Sequence, residues 1–441
     1  MAVGGTLVRW GTRHGIARAA LAVAARQGEV QANIVMNPEV RRNPYPVYDD
    51  LRARGRIVQG RLGLLSADHE VCRTVLRSDA FGVAMNPEAL PRGFRTALRL
   101  TADDLAIGAL DPPSLLATDA PDHTRYRRLV SKVFTPRAIE NLRGRVVELS
   151  DDLLDELERT PSADLVRQYA SLLPVTVIAE ILGVPAEMRH QFLAWGTAAA
   201  PSLDLGLGYR TFRRAEAAVR GINGWMYGHF DRLREKPGDD ILSQLVHLES
   251  DGERLSGREL AATASLLLAA GFETTVNLIG NGAVLLLRHP DQLEALRGDP
   301  SLWPNAVEEV LRFDSPVQNT ARLCHAPTTI AGRDIQPGSL VVTFLGGANR
   351  DPRVFADPGT FDVRRSNARD HLAFSAGVHY CLGAALARME GEVALQRLFG
   401  RFPDLALIGE PHRRPTRTLR GYDALPVSLG TRPRRSALVQ S

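Results

Sequence analysis

Cysteine is scarce in this sequence, and its spacing excludes more than its number. Cys72, Cys324 and Cys381 lie far apart. No Cys-x-x-Cys pair exists for zinc binding or dithiol redox chemistry, and three thiols fall one short of the four that a common iron–sulfur cluster takes. Nothing suggests a disulfide framework, and a reducing cytoplasm is the expected compartment. A nucleotide-binding Gly-x-Gly-x-x-Gly and a P-loop Gly-Lys-Ser/Thr are also absent. There is no Gly/Ser linker, repeat or low-complexity tract. Long apolar runs are missing too. The longest, Leu260 to Leu287, is interrupted by Glu273, Asn277 and Asn281 and holds three glycines, which reads as a long buried helix and not as a membrane span. Excess charge is small: 54 Lys and Arg against 50 Asp and Glu, net +4. That balance is too mild and too evenly spread for nucleic acid, but it suits an acidic protein partner.

What remains is an ordinary globular composition, with 44% apolar and 24% charged residues in 441. Met1 to Arg26 has its apolar residues broken by Arg9, Arg13, His14 and Arg18. It reads as an amphipathic helix packed on the body, with a membrane-surface contact as the alternative, and not as a signal peptide. Helical patterns then dominate to Phe313. Pro121 opens one helix, crowded with Arg125, Arg127, Arg128 and Lys132. Ser256-Gly-Arg-Glu259 is a capping box announcing the long buried helix. Asn319 to Phe344 is rich in Thr, Val, Ile and Leu, with turns at Gly332-Arg333-Asp334 and Pro337-Gly338, and reads as a small antiparallel sheet. Thr418 to Ser428 reads as strand. Phe81 to Leu116 and Ala200 to Tyr209 read as loops, the first long enough to be functional. The expected class is mainly α with a small β region.

Four stretches carry possible chemistry. Phe374-Ser-Ala-Gly-Val-His-Tyr-Cys-Leu-Gly383 holds Cys381 between Gly377 and Gly383, just before a helix predicted over Leu382 to Leu398. A helix start favours a thiolate, which serves as a soft metal ligand or, with His379 as base, as a nucleophile. A lone cysteine is more often a buried, inert thiol. Ala269-Ala-Gly-Phe-Glu-Thr-Thr275 puts Gly271 and an acid–alcohol pair midway along an apolar helix. The bland reading is a locally satisfied polar patch; the functional one is a gap for a flat ligand beside a proton relay. Glu309-Val-Leu-Arg312 is, by itself, a surface ion pair. His123, Arg125 and Arg127, with Arg322 from the later sheet, are either a solvated face or an anion site.

Order and spacing of these stretches resemble the cytochrome P450 superfamily, the haem-thiolate monooxygenases, in its soluble bacterial form and with an actinobacterial texture. The cysteine loop is similar to Phe-x-x-Gly-x-His-x-Cys-x-Gly, fitted by Phe374, Gly377, His379, Cys381 and Gly383. Ser375-Ala376 departs where many relatives have glycine first. Ala-Gly-x-Glu-Thr-Thr resembles the oxygen-activation motif, and Glu309-x-x-Arg312 the buried Glu-x-x-Arg pair, with Arg365 of Phe361-Asp-Val-Arg-Arg completing it. The resemblance implies a triangular helical haem domain with minor antiparallel sheets over residues 37–429. An amphipathic helical extension at 1–36 precedes it, and a tail at 430–441 follows.

By resemblance, Cys381 is the axial ligand of haem b, shielded by Phe374. His123, Arg127, Arg322 and His379 hold the propionates, with Arg125 a doubtful member. Ala270, Gly271, Gly377, Gly383 and Ala387 lie against the macrocycle. Glu273 and Thr274 are the catalytic acid and alcohol. Glu309, Arg312 and Arg365 form a structural network. Leu266, Ala269, Val317 and Leu419 line a pocket for a hydrophobic organic substrate. With no flavin or ferredoxin module in these residues, the resemblance implies NAD(P)H-derived electrons from a separate ferredoxin and its reductase. Arg125, Arg128, Lys132 and Arg388 are the expected docking face. A monomer is expected. Three rivals stand: a peroxide-using haem peroxygenase, a haem sensor or carrier without turnover, and a cysteine hydrolase that would be colourless.

Overall fold

The computed structural model describes residues 3–430 apart from 84–92, 94, 95, 97–99, 101, 102, 160, 161, 239, 250 and 251. Much of the long loop expected from Phe81 to Leu116, and the tail from 431 onward, lie outside the described residues.

The amphipathic start is helical throughout: α1 (Val3–Trp10), a π turn at Gly11–Gly15, then α2 (Ile16–Arg26). It packs on the body through named contacts. Arg9 pairs with buried Glu216, Trp10 Nε1 donates to the Leu207 carbonyl at 2.9 Å, and Leu21 is fully buried. The helices that position the site follow in order: α3 (His69–Arg77), α4 (Asp122–Val133), α5 (Leu172–Ile181), α6 (Tyr209–Glu235), α7 (Gly257–Arg288), α8 (Trp303–Phe313) and α9 (Ala384–Arg401).

Helix α7 is the axle of the fold. Ser256 and Glu259 close both halves of the capping box, at 3.3 and 2.8 Å, satisfying two end N–H groups. Its apolar residues face the core all round, which is why the sequence shows no polar stripe. It is long and apolar enough to cross a membrane, yet 67% of its apolar window is buried within the protein. Two reciprocal glycines bring α7 against α9. A Cβ on Gly282 would lie 2.7 Å from Leu395, and one on Gly391 would lie 2.9 Å from Leu278. Larger residues there would push the two site-bearing helices apart.

The main sheet has strands β1 (Val58–Gln59), β2 (Leu64–Ser66), β3 (Phe81–Val83), β4 (Thr320–Cys324) and β5 (Leu340–Thr343), in the order β1-β2-β5-β4-β3. One pairing departs from the antiparallel expectation: β2 runs parallel to β5, Leu64 opposite Val341. Most of the chain intervenes between these two strands, ample length for a parallel crossover. The Thr418–Ser428 strand also divides. A turn at 414–421 precedes β7 (Tyr422–Ala424), which pairs with β6 (His412–Arg413), and Pro426–Ser428 joins a separate small sheet. Pro121 flanks α4 as its cap, where the first helical position was expected.

Candidate haem and oxygen-activation site

The cysteine loop is held by its own backbone. Cys381 N–H donates to the Phe374 carbonyl at 2.9 Å, and the Gly383 N–H reaches the Cys381 sulfur. Gly377 sits at φ +68°, and a side chain there would strike the Leu76 carbonyl at the end of α3, so glycine is required twice over. Ser375 also takes a left-handed φ of +63°, and its buried hydroxyl has no protein partner. That is the position where the sequence departs from the usual glycine.

The helix starts later than expected, at Ala384, with Gly383 as its cap. Cys381 therefore stands outside the first turn, where the helix field is strongest. Burial pushes its thiol up; the Gly383 N–H, Arg127 and Arg388 pull the other way without prevailing. The thiolate expected from the helix start alone is not what this environment favours. Yet the residue keeps accessible surface. A thiol that is both accessible and desolvated faces a recess within the protein. Phe374 is buried beside it, with the Arg388 guanidinium 4.6 Å over its ring. Ala387 follows one turn along, its N–H bonded to the Gly383 carbonyl at 2.9 Å.

Four basic groups converge on this recess. His123 and Arg127 are one turn apart on α4, His379 comes from the loop, and Arg322 comes from β4. The two imidazole rings are 4.2 Å apart. Arg322 is 7% exposed and, among the described residues, donates only to Thr320 Oγ1 at 3.1 Å and the Ala321 carbonyl at 2.9 Å. Arg127 lies within electrostatic reach of the Cys381 sulfur. Among the described residues Asp119 is the one nearby acid, 3.8 Å from His379, and it already accepts the Val83 N–H at 3.0 Å. Burial and the neighbouring cations push His379 down to about 4, and burial with Arg127 lowers His123. Both rings are thus neutral hydrogen-bonding groups between two arginines at neutral pH. Buried cations with so little counter-charge are complementary to a bound anion. These residues fit a flat iron macrocycle carrying two carboxylates. Arg125, two residues from Arg127, faces away and pairs with Glu259.

Helix α7 supplies the other wall. Leu266, Ala269, Ala270 and Leu419 line an apolar cavity of about 520 Å³ including its open mouth. Val317 does not line it. Its backbone bridges to Leu419, and its side chain packs against the cluster of Leu345 and Leu372, so it backs the wall. Gly271 also differs from expectation. A side chain there would come within 3.2 Å of Ile178 on α5, so its small size serves helix packing. Thr274 Oγ1 donates to the Ala270 carbonyl at 2.7 Å. Glu273 is 1% exposed and is gripped by Arg414; its second oxygen has no protein partner. Burial pushes this carboxyl up, and Arg414 opposes the shift. Asn277, one turn further, has neither amide atom bonded to protein.

Arg414 was not anticipated. It lies 141 residues from Glu273 in a turn whose sequence is simply basic, and its Nε is anchored on the Tyr422 carbonyl at 2.8 Å. A second unanticipated cluster lies below Phe374. Buried Glu308 accepts from Arg388 at 2.8 Å, sits 3.0 Å from His371 Nε2, and lies 3.4 Å from Arg369. The doubled acid Glu308-Glu309 was its only local signal.

The expected Glu309–Arg312–Arg365 contacts are present, with Glu309 and Arg312 fully buried. Arg312 makes a bidentate pair with Glu309 at 2.6 and 2.7 Å and donates to the carbonyls of Asn349, Pro358 and Thr360, each at 3.0 Å. Arg365 Nε lies 3.3 Å from Glu309 and caps the carbonyls of Ala356, Asp357 and Thr360. The proposed docking arginines are less available than expected: Arg125, Arg128 and Arg388 pair with Glu259, Glu253 and Glu308.

Comparison with known proteins agrees with this geometry. Residues 301–413 match the family model described as Cytochrome P450. The chain is 48% identical over 433 residues to a Mycobacterium tuberculosis protein provisionally named cytochrome P450 140, covering 97% of this chain and 98% of that one. It is 45% identical over 316 residues to 6-deoxyerythronolide B hydroxylase of Saccharopolyspora erythraea, covering 71% and 77%. Among solved structures, the bacillaene polyketide synthase cytochrome P450 PksS of Bacillus subtilis 168 superposes with a TM-score of 0.80 at 36% identity, over 89% of this chain and 98% of that one. The chain belongs to the cytochrome P450 family, and it is accordingly an oxygen-incorporating oxidoreductase of a family whose cofactor is haem iron.

Proposed function

We propose that the protein is a haem-thiolate monooxygenase that inserts one atom of dioxygen into a hydrophobic organic substrate by hydroxylation or epoxidation. The observation that carries this reading is the under-compensated basic cluster around an accessible, recessed cysteine. Haem bound there supplies the oxidising chemistry through iron ligated by the Cys381 sulfur, a donor that pushes electron density onto the metal. Arg127 and Arg322, with His123 and His379, hold its two carboxylates by charge-assisted hydrogen bonds. Phe374 keeps water from the sulfur.

The chain's own part in the reaction is binding and proton handling. The apolar cavity under Leu266, Ala269 and Leu419 orients the substrate and excludes water. Thr274 presents a hydroxyl beside its Ala270 partner, and Glu273 keeps one unpaired oxygen that takes up and releases a proton. Arg414 holds the other oxygen and fixes the carboxyl in place.

Electrons come from NAD(P)H through a separate ferredoxin and reductase that dock near the cysteine loop, where Val378 and Tyr380 are exposed. The arginines there are largely paired with acids, so apolar contact contributes more to this docking than the basic sequence suggested. The protein acts as a cytoplasmic monomer.

The test is optical. The reduced, carbon-monoxide-bound protein should show the Soret shift of a thiolate-ligated haem, and Cys381→Ala should abolish it. A protein that binds no haem overturns the reading. Turnover with hydrogen peroxide, and none with dioxygen plus a reductase system, would make it a peroxygenase.

A further inference from the structure

A second cleft, about 360 Å³ including its open mouth, shares Leu419 with the apolar cavity. Its lining is unlike that of its neighbour. Five arginines border it: Arg41, Arg413, Arg414, Arg417 and Arg420. Three have carboxylate partners. Arg413 and Arg420 share Asp314, each at 2.6 Å, and Arg414 grips Glu273.

Arg41 and Arg417 are different. Among the described residues the Arg41 guanidinium has no hydrogen bond or ion pair, and the Arg417 guanidinium donates only to the Leu205 carbonyl. Arg18 reaches the same corner from α2 and donates to the Gly206 carbonyl at 3.1 Å. The three cations lie within electrostatic reach of one another, and Arg41 and Arg417 are in part desolvated. Among the described residues the acid that acts on Arg41 and Arg417 is Asp204. It is buried, and its oxygens are already taken by the N–H groups of Arg417 and Thr418 at 3.0 and 2.8 Å. A concave site with surplus guanidinium charge and idle donors is shaped for an oxyanion.

We propose that this cleft binds the anionic end of an amphiphilic substrate, a carboxylate or phosphate ester, whose apolar part crosses Leu419 into the cavity lined by Leu266 and Ala269. The inference rests on the reading of that cavity as the substrate site, and it narrows the substrate class to molecules with a terminal oxyanion. Arg41 is the decisive residue, because among the described residues its guanidinium has no hydrogen bond or ion pair. Leu419 is shared by both walls, so a chain bound across it touches both sites.

The experiment titrates the haem-loaded enzyme by calorimetry and by the spectral shift of the haem, with laurate, dodecyl phosphate and dodecanol below their micellar concentrations. Both anions, or one of them, should bind about tenfold tighter than dodecanol. Arg41→Gln should remove that advantage and leave dodecanol binding within about twofold. The better anion identifies carboxylate or phosphate. Equal binding of all three probes overturns the inference. So does a loss in Arg41→Gln that dodecanol shares, or anion binding that leaves the haem spectrum unmoved. The carbon-monoxide spectrum of the same samples separates the two readings. A normal thiolate band with no anion preference sinks only this inference, whereas an absent band sinks the function beneath it.

Discussion

Two sets of buried or half-buried arginines in this molecule differ in what answers their charge. In the Glu309–Arg312–Arg365 network every guanidinium has a carboxylate and several carbonyls in reach. In the set around Cys381, Arg127 and Arg322 share two neutral histidines and one distant acid. A closed charge network holds a fold together. An open one raises the energy of the ligand-free protein and recovers that energy when an anion binds. The comparison separates scaffold from site without reference to any relative.

Breaking the closed network should cost most. Arg312→Ala leaves Glu309 with the Asp362 N–H and the weaker Arg365 contact and frees the carbonyls of Asn349 and Pro358, so about 4 kcal/mol of unfolding free energy should be lost. Urea denaturation measures it. A loss below about 1 kcal/mol would place the network among surface pairs.

Asp314 is a second closed centre, and its effect depends on pH. It lies between Arg413 and Arg420 and accepts from the Tyr45 hydroxyl at 2.8 Å. Although burial opposes it, the two arginines hold its carboxyl well below the usual carboxylate range. A depressed acid contributes stability above its unfolded value, about 4, and that contribution fades as pH falls toward the folded value. Asp314→Asn should therefore cost about 3 kcal/mol at neutral pH, and the gap from wild type should narrow only below about pH 4. A gap that closes between pH 8 and pH 6 would contradict the pairing.

The open set should behave in the opposite sense. Arg322→Ala should leave the ligand-free protein as stable as wild type, or slightly more so, because burial already disfavours its charge. Haem transfer to apomyoglobin should nonetheless quicken about tenfold, the equivalent of one charge-assisted bond. Equal loss of stability with and without haem would reclassify Arg322 as scaffold. The smallest effect belongs to Ser375. Glycine removes the cost of its left-handed φ and its unpartnered hydroxyl, so Ser375→Gly should raise stability by about 1 kcal/mol. Thermal melting with an unchanged carbon-monoxide spectrum is the check.

Local chemistry made much of this legible. The capping box at Ser256, the cysteine loop and the Glu309–Arg312 spacing are contiguous signals, each readable within a few residues. His123 and Arg127 share a helix face at one-turn spacing, and Arg125 was already the odd member. The reading faltered where a role depends on a distant partner. Nothing near Glu273 announces Arg414, and nothing near Arg388 announces that Glu308 occupies it. The parallel pairing of β2 with β5 joins strands whose flanking residues carry no trace of each other. Val317 and Gly271 were placed by position along their elements, and their contacts depended on which neighbours packed beside them.

By itself, then, the sequence determined which segments are helix, which loop carries the sulfur and which residue types could meet an anion, because propensity, capping and spacing act over a turn or two of chain. Tertiary structure decided which charges are answered and which stay open. Burial and partnership come from elements that meet only on folding, and a buried guanidinium binds a ligand or braces a core according to whether a carboxylate reached it first.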